Sequence, residues 1–527
     1  MRGLVLGALS AVLSVSAFAK NESKTPAELA ATQGFVRVSV PQWAFGNPPT
    51  LHVRGGKDSY KLVRVVEDGP YAYGAWVPAG QYDIEGMVAA DGSPYTPLIV
   101  ESARMTDLGA VLRIQLGGYE TVLLPIRHPE ADAETRAAHS RLGSILRSGD
   151  DIRWAPSAPP KSVRNPQPAS GLGLIADLIS DYERSVNKPR LSKQLKEAPT
   201  LDALAALARL AVAPATEESA TDSARNLYFG ADFGQLRVRH PDGTWGSIDT
   251  GTLDEVTAVG AAADRIVAGT LRGSLLMSAD RGGSWSRVRS LNRDEIVVDI
   301  DHAGEAWVVL TAHTSPGVNP WGPVQQLRVY LAKDPGLSDL AISKDFPLPQ
   351  LYAARILGVS DALVGQVIGS AYIVNTVTDL QKLDLTSLQW SVLPRPPHRV
   401  DAFHASLDGS LITAMRVQGA FSKISVSKDG GATWVPYSRP PYAIYDAVLE
   451  TPDSGTATRW NSHAFTATLE LYSYDSKAKD WHKSSEAPPG CVRLLRDESY
   501  RQRFCVSSGG SILDRKDGAW VAEFAVE

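Results

Sequence analysis

Hydrophobic and polar positions alternate along most of this chain with a period of two, the pattern of strands that bury one face. Between Gly34 and Arg127 the runs are FVRVSV, TLHVRG, YKLVRVV, AYGAWV, YDIEGMV, LIVESARM, AVLRIQL and ETVLLPI, separated at short intervals by Gly, Pro, Asn and Asp. That spacing predicts a β-sandwich over 34–127. The period then lengthens. Glu130 to Leu146 is rich in Ala, Glu and Arg, and a Pro-rich segment runs from Trp154 to Pro168. Leu174, Ile175, Leu178 and Ile179, then Leu201, Leu204, Leu207 and Leu210, fall at helix spacing. Residues 128–224 are read as a helical connector bracing two β regions, too short in heptads for a coiled coil. From about Asn226 the period of two returns and persists to the C-terminus.

Within 225–527 the strands carry a second, longer rhythm. Ser278-Ala279-Asp280-Arg281-Gly282-Gly283-Ser284-Trp285 and Ser427-Lys428-Asp429-Gly430-Gly431-Ala432-Thr433-Trp434 both match S-x-D-x-G-x-[ST]-W. Each residue type has a task in a tight turn. The Ser hydroxyl and Asp carboxylate bond to turn backbone groups that have left the strand ladder. Gly adopts conformations that other residues avoid, and Trp opens the next strand with a large packing surface. Degenerate copies end at Trp245, Trp390, Trp481 and Trp520, with a weaker unit at 330–340. Closing positions near 245, 285, 339, 390, 434, 481 and 520 lie at the spacing of four-stranded propeller blades. Seven units are read, with six and eight left open by the weak units at 330–340 and 384–390.

The two full matches resemble the Asp-box, or BNR repeat, of a propeller superfamily that includes sialidases, sortilin-type receptors and photosystem II assembly propellers. In the first region Val77-Pro78-Ala79-Gly80-Gln81-Tyr82-Asp83-Ile84 resembles the strand entry of transthyretin-like modules. The expected fold is mainly β: an N-terminal β-sandwich, a short helical connector and a C-terminal β-propeller. The resemblance implies that Ser278, Asp280, Gly282, Trp285, Ser427, Asp429, Gly431 and Trp434 hold the fold and touch no ligand.

The first 19 residues read as a signal peptide: Arg2, an apolar run from Leu4 to Val15, and Ala17-Phe18-Ala19 at the cleavage position. Export would place the mature chain in the periplasm or outside the cell, and no later stretch is long and apolar enough to span a membrane as a helix. Cys491 and Cys505 are the chain's 2 cysteines. They lie on strand-like runs either side of a turn near Glu498, so they either pair across a hairpin or remain buried thiols. A net charge of −5 argues against a dedicated nucleic-acid surface.

Catalytic motifs are missing from the sequence: there is no G-x-S-x-G, H-E-x-x-H, P-loop or C-x-x-C. No metal or other cofactor is expected. Asp299-Ile300-Asp301-His302 is read as the ordinary first turn of a blade. The sialidase resemblance would imply an arginine triad with Tyr, Glu and Asp catalysts, and the expected Arg-Ile-Pro is absent; Pro125-Ile126-Arg127 reverses it in the sandwich. A glycoside hydrolase of sialidase-like type therefore stands as the alternative. The preferred reading is a non-catalytic binding or assembly protein with a protein or glycan partner outside the cytoplasm. Its candidate contacts lie in loops of one propeller face: Trp321, Arg272, Arg395, His398, Arg399, Arg416, Arg439 and Tyr442. Arginine with aromatics suits an anionic or glycan partner.

Overall fold

The computed structural model describes residues 24–525 apart from 42–50, 70, 86, 88–94, 116–119, 148–150, 157, 160–162, 165–193, 195–196, 213, 293–294, 315–323, 349–364, 377–378, 407, 418–420, 442–443, 445, 463–466, 489, 499–500 and 508–510. The leader, the helix expected over 172–186, Trp321 and Tyr442 lie outside the described residues.

From Ala220 onward the chain forms seven consecutive four-stranded sheets, each an antiparallel meander in chain order. They span 220–249 (I), 256–290 (II), 295–347 (III), 365–392 (IV), 402–437 (V), 446–486 (VI) and 491–524 (VII). First strands of neighbouring sheets lie against one another, which puts them around a common axis. The period of two explains the packing. In strand Arg265–Thr270 of sheet II, Ile266 and Ala268 face sheet I beside Tyr228 and Leu236, while Val267 faces sheet III beside Val297 and Trp307. The same arrangement recurs around the ring. The seventh cluster closes it: Leu227 and Phe229 of sheet I pack with Leu495, Phe504 and Val506 of sheet VII. The fold is a β-propeller.

Sheets I and VII share no strand, so side chains close the ring, joined by a backbone bond from Arg496 N to Glu217 O at 2.7 Å just ahead of sheet I. Arg239 donates twice to Glu523, at 2.7 and 2.6 Å, and Trp245 Nε1 donates to the same carboxylate at 3.0 Å. The rings of Phe229, Trp245 and Phe504 stack and cross beneath this latch. Within sheet VII a disulfide joins Cys491 to Cys505 across the first two strands, the pairing alternative of the sequence reading.

The two S-x-D-x-G-x-[ST]-W turns have matching hydrogen bonds. Ser278 Oγ donates to Asp280 Oδ1 at 2.7 Å, and Ser427 Oγ to Asp429 Oδ1 at 2.8 Å. Each carboxylate then accepts the backbone N–H of Ser284 or Thr433 at 2.8 Å. Gly282 and Gly431 sit at φ 93° and 92°. A side chain there would also strike Ile248 or Leu393, residues on the side of the preceding sheet. The indoles occupy equivalent places. Trp285 packs beside Ile248, and Trp434 packs beside Leu393 and donates to Pro394 O at 2.8 Å. Trp390, Trp481 and Trp520 make the same backward reach, to Ser343 Oγ, Ser438 O and Glu486 O.

The N-terminal region has two sheets around one core. Strands Gln33–Ser39, Met105–Gln115, Glu120–Ile126 and Ala72–Pro78 belong to a seven-stranded sheet, and His52–Gly55, Asp58–Lys61, Gly80–Ile84 and Leu98–Val100 form a four-stranded one. Val36, Val38, Val53, Val77, Leu98 and Val111 fill the space between them. The module does not stop at residue 127. Ile152–Arg153 and Val163–Arg164 add to its larger sheet, and helix Pro129–Leu142 packs on that sheet through Ala138 and Leu142. The sequence reading gave these segments to the connector. The reason they join the module is a buried ionic cluster. Arg37, 0% exposed, donates to Asp107, Thr135, Glu134 and Ser39, tying the first strand to the helix. The helix expected near 200–212 is Leu201–Ala211, capped by Thr200, whose hydroxyl accepts from Ala203 N at 3.1 Å.

Removing Glu523 takes both short bonds from Arg239 and leaves it Asp514 at 3.9 Å, so Glu523→Ala is expected to cost about 3 kcal/mol in urea unfolding. Burial, offset by bonds from Arg239 and Trp245, leaves the Glu523 carboxyl at about 2, below its ordinary 4.5. A depressed acid contributes stability above its unfolded value and loses it as pH falls through the folded value. The stability gap between wild type and variant should therefore shrink from pH 4.5 to 2, and an unchanged gap contradicts the latch.

Candidate binding face

Antiparallel meanders sort the loops. Hairpins between first and second strands, and between third and fourth, lie on one face; second-to-third loops and the links between sheets lie on the other. The acidic Trp turns occupy the first face. The described candidates, Arg272, Arg395, His398, Arg399, Arg416 and Arg439, belong to the second, the linker face, but they do not form one ring.

Arg272, in the second-to-third loop of sheet II, is covered. Its guanidinium lies 5.0 Å from the ring centre of Tyr71, a residue of the N-terminal module, and its N–H donates to Asp254 at 3.0 Å. Beside it, Glu130 of helix Pro129–Leu142 accepts from Thr252 Oγ1 at 2.9 Å and Leu253 N at 2.8 Å, and pairs with Arg287. Tyr71, Ala131, Leu204, Ala208 and Leu253 make a shared apolar contact beneath. The module thus sits on the linker face at sheets I and II, and Arg272 is a docking residue there. The sequence reading placed it on an open rim because Tyr71 comes from the other module.

A small cleft of about 30 Å³ follows this contact. Leu112, Leu124, Ala205, Ala208, Phe233 and Leu253 form its apolar part, with Arg209 and Asp249 paired at 3.1 Å on its edge. Its size suits ordered water better than a ligand.

The other candidates gather around sheet V. Arg395 pairs with Asp379 at 2.7 Å and keeps 67% of its side chain exposed. Arg399 pairs with Asp401, whose other oxygen accepts Val417 N at 2.9 Å. His398 bonds Ser425 Oγ at 2.9 Å; burial holds it below the ordinary histidine value, helped by the charges of Lys423 and Arg416. Arg439 donates to Pro440 O at 3.1 Å in the next link. Between Arg416 and Lys423 stands Phe421, 75% exposed, which the sequence reading missed. Its signal was present: a lone aromatic in a polar second-to-third loop, outside the alternation of either strand. An exposed aromatic flanked in sequence by cations has the chemistry to meet acidic or aromatic groups.

The axis itself is acidic. Glu218 precedes the first strand of sheet I, Asp299 and Asp301 lie on strand Glu295–Ala303, and Asp446 opens Asp446–Thr451. Arg496 pairs with Asp446, and His404 Nε2 lies 2.7 Å from the same carboxylate. Asp299 and Asp301, read from sequence as an ordinary first turn, are on the first strand of sheet III and face sheet IV, where they accept from the Tyr372 hydroxyl and from Val367 N at 2.7 Å. Nearby, Arg493 donates to the backbone oxygens of Pro214, at 2.7 Å, and Ala215.

No protein-family model matches the chain, and no curated protein does. Among solved structures the chain is similar to YCF48 from Cyanidioschyzon merolae, at 16% identity over 57% of this chain and 97% of that one, TM-score 0.37. It is similar to a YCF48 bound to D1 peptide, at 14% identity over 57% and 93%, TM-score 0.38. The WD40 β-propeller domain of Doa1 is similar at 8% identity over 57% and 89%, TM-score 0.36.

Arg272→Ala is expected to loosen the module without unfolding the propeller. Losing a desolvated cation–ring contact costs about 2 kcal/mol locally. Hydrogen exchange should quicken at 129–133 and 250–254 and stay unchanged in sheets IV to VI; uniform quickening contradicts this assignment.

Proposed function

We propose that this chain is an exported, non-catalytic binding or assembly protein that presents the linker face of its propeller to a protein partner outside the cytoplasm. The observation that carries the reading is Phe421, 75% exposed in the second-to-third loop of sheet V between Arg416 and Lys423, on the part of that face away from the N-terminal module, with Arg395 and Arg399 in the link that leads into the same sheet. Burial of that ring by a partner would recover its apolar area while the cations select acidic groups. Aromatic and arginine anchors of this kind carry most of the energy in protein interfaces. Export is supported by the leader pattern and by the Cys491–Cys505 disulfide, a bond of oxidising compartments. The peptide-bound YCF48 structure is of a propeller that takes a peptide, and the present reading gives this chain a related task without resting on it.

The sialidase-like alternative would need arginines converging on a carboxylate at the axis. The described inner strands gather carboxylates there, and Arg493 and Arg496 are engaged with backbone oxygens and Asp446. That charge pattern favours binding over this chemistry.

The double variant Phe421→Ala with Arg416→Ala is the direct test. Immobilised wild type should retain a specific protein from an extracytoplasmic extract, and the variant should lose it at least tenfold with its Tm unchanged. Equal retention by both, or turnover of a fluorogenic sialoside that disappears on changing a face arginine, would overturn the reading.

A further inference from the structure

The contact between the N-terminal module and the propeller is made at the first turn of helix Pro129–Leu142. Glu130 in that turn accepts from Thr252 Oγ1 at 2.9 Å and from Leu253 N at 2.8 Å, and pairs with Arg287. Ala131 belongs with Leu253 to the apolar contact beneath. The turn is therefore part of the docking surface, and whatever holds its backbone holds Glu130 in place.

What holds it is a histidine. His128 is the N-cap of the helix, at φ −149° and ψ 138°, and its Nδ1 accepts the backbone N–H of Glu130 at 3.2 Å. Asn, Asp, Ser and Thr are the usual caps, because their side-chain oxygens always accept. An imidazole accepts only at an unprotonated nitrogen, and once both nitrogens carry protons it can only donate. The charge that arrives with the second proton also meets the positive end of the helix dipole. The residue is buried and lines the cleft between helix Leu201–Ala211 and sheet I, together with Phe233, Gln235 and Leu253 of the propeller. The charged groups facing it are Glu130 and Asp132 on its own helix, Arg209 on helix Leu201–Ala211 and Asp249 on the outer strand of sheet I. Arg209 and Asp249 pair with each other at 3.1 Å, and Arg127, next to His128 in the chain, is turned to Asp107 at 2.7 Å.

We propose that His128 is a pH-sensitive catch for the module: its neutral ring caps the helix and keeps Glu130 on the propeller, and its protonation frees the first turn and loosens the module from sheets I and II. The device regulates the linker face. Loosening uncovers Arg272 and Tyr71 on the same face as Phe421, so acidification enlarges the surface open to a partner. The catch belongs to the module contact and stands whether or not a partner binds at Phe421.

Burial, with the charge of Arg209, holds His128 below the ordinary histidine value of 6.5, against the pull of Glu130, Asp249 and Asp132. Undocking returns water to the cleft, so the docked ring takes up fewer protons than the undocked one. Docking is fully favoured above the undocked value and weakens as pH falls through it towards the docked value. The buried carboxyl at the same contact, Asp254, acts in the opposite sense. Burial raises it, with Arg272 opposing, so its protonation favours the docked state as pH falls. A loosening on acidification therefore has the sign of the histidine and not of the carboxyl.

Hydrogen exchange on the whole chain, corrected for the intrinsic pH dependence of amide exchange, tests this. In the wild type, protection of segment 250–254 should fall at least about fivefold between pH 7.5 and pH 5, measured against sheets IV to VI. His128→Asn keeps a capping oxygen that does not titrate in this range, and should hold its protection at pH 5. His128→Ala lacks the cap, and should show the loosened contact at both pH values. Histidine-selective carbon-13 labelling gives the midpoint of His128 directly, assigned by the resonance that either variant lacks, and it should coincide with the midpoint of the exchange change. Should a variant fail to fold, the wild type still decides: protection of 250–254 that is constant or rises on acidification overturns the proposal. A pH response in His128→Asn equal to that of the wild type, or a His128 midpoint above 6.5, overturns it as well.

Discussion

Seven separate sheets have to be held side by side; buried apolar clusters fill the space between them, and the backward reach of an outer-strand indole fixes their register. Trp390, Trp434, Trp481 and Trp520 each donate an N–H to the preceding sheet or its link, while Trp285 makes the same approach by packing beside Ile248. Trp245 does so across the closure, to Glu523 of the last sheet. The acidic turn before each ring is what aims it. In the two full turns the Ser hydroxyl and Asp carboxylate satisfy the turn's N–H groups, and Gly282 and Gly431 let the chain pass close over Ile248 and Leu393. Sheet III lacks the tryptophan. There an arginine of sheet II compensates from the other side: Arg289 donates to Leu340 O.

This frame decides what each face can do. One face is occupied by staple turns. The other carries the links, and the N-terminal module covers its sheet I and II portion through Glu130, Arg272 and Tyr71. The sheet V portion, with Phe421, stays open. The ring also creates the axis. Asp299 and Asp301 acquire their environment only because sheet IV packs on sheet III and supplies the Tyr372 hydroxyl and the Val367 N–H.

The parts of the structure legible in the sequence are the local ones. A strand's alternation, a turn's Ser, Asp and Gly, and the indole after it lie within ten residues of one another, so the propeller could be read directly, and the Cys491–Cys505 pair as one of two alternatives. What could not be read depends on contacts between distant segments. Helix Pro129–Leu142 looked like a connector because Arg37, its buried partner, belongs to strand Gln33–Ser39, remote in the chain. Arg272 looked exposed because Tyr71 is remote in the chain. Asp299 and Asp301 fitted the two-residue alternation of an ordinary strand, which gives no sign that the side they face meets Tyr372 and Val367 of sheet IV. Phe421 was passed over because a single aromatic between two strands interrupts no pattern.

The central claim, that indole and ion-pair latches close these sheets into one ring without a shared strand, is tested most directly by the distance between its first and last members. Nitroxide labels at Thr244 in sheet I and Val521 in sheet VII, with the disulfide kept intact, should give one narrow, short-distance peak in electron–electron double resonance. A broad distribution reaching long distances would mean that the two ends of the array are not in contact and would contradict the account.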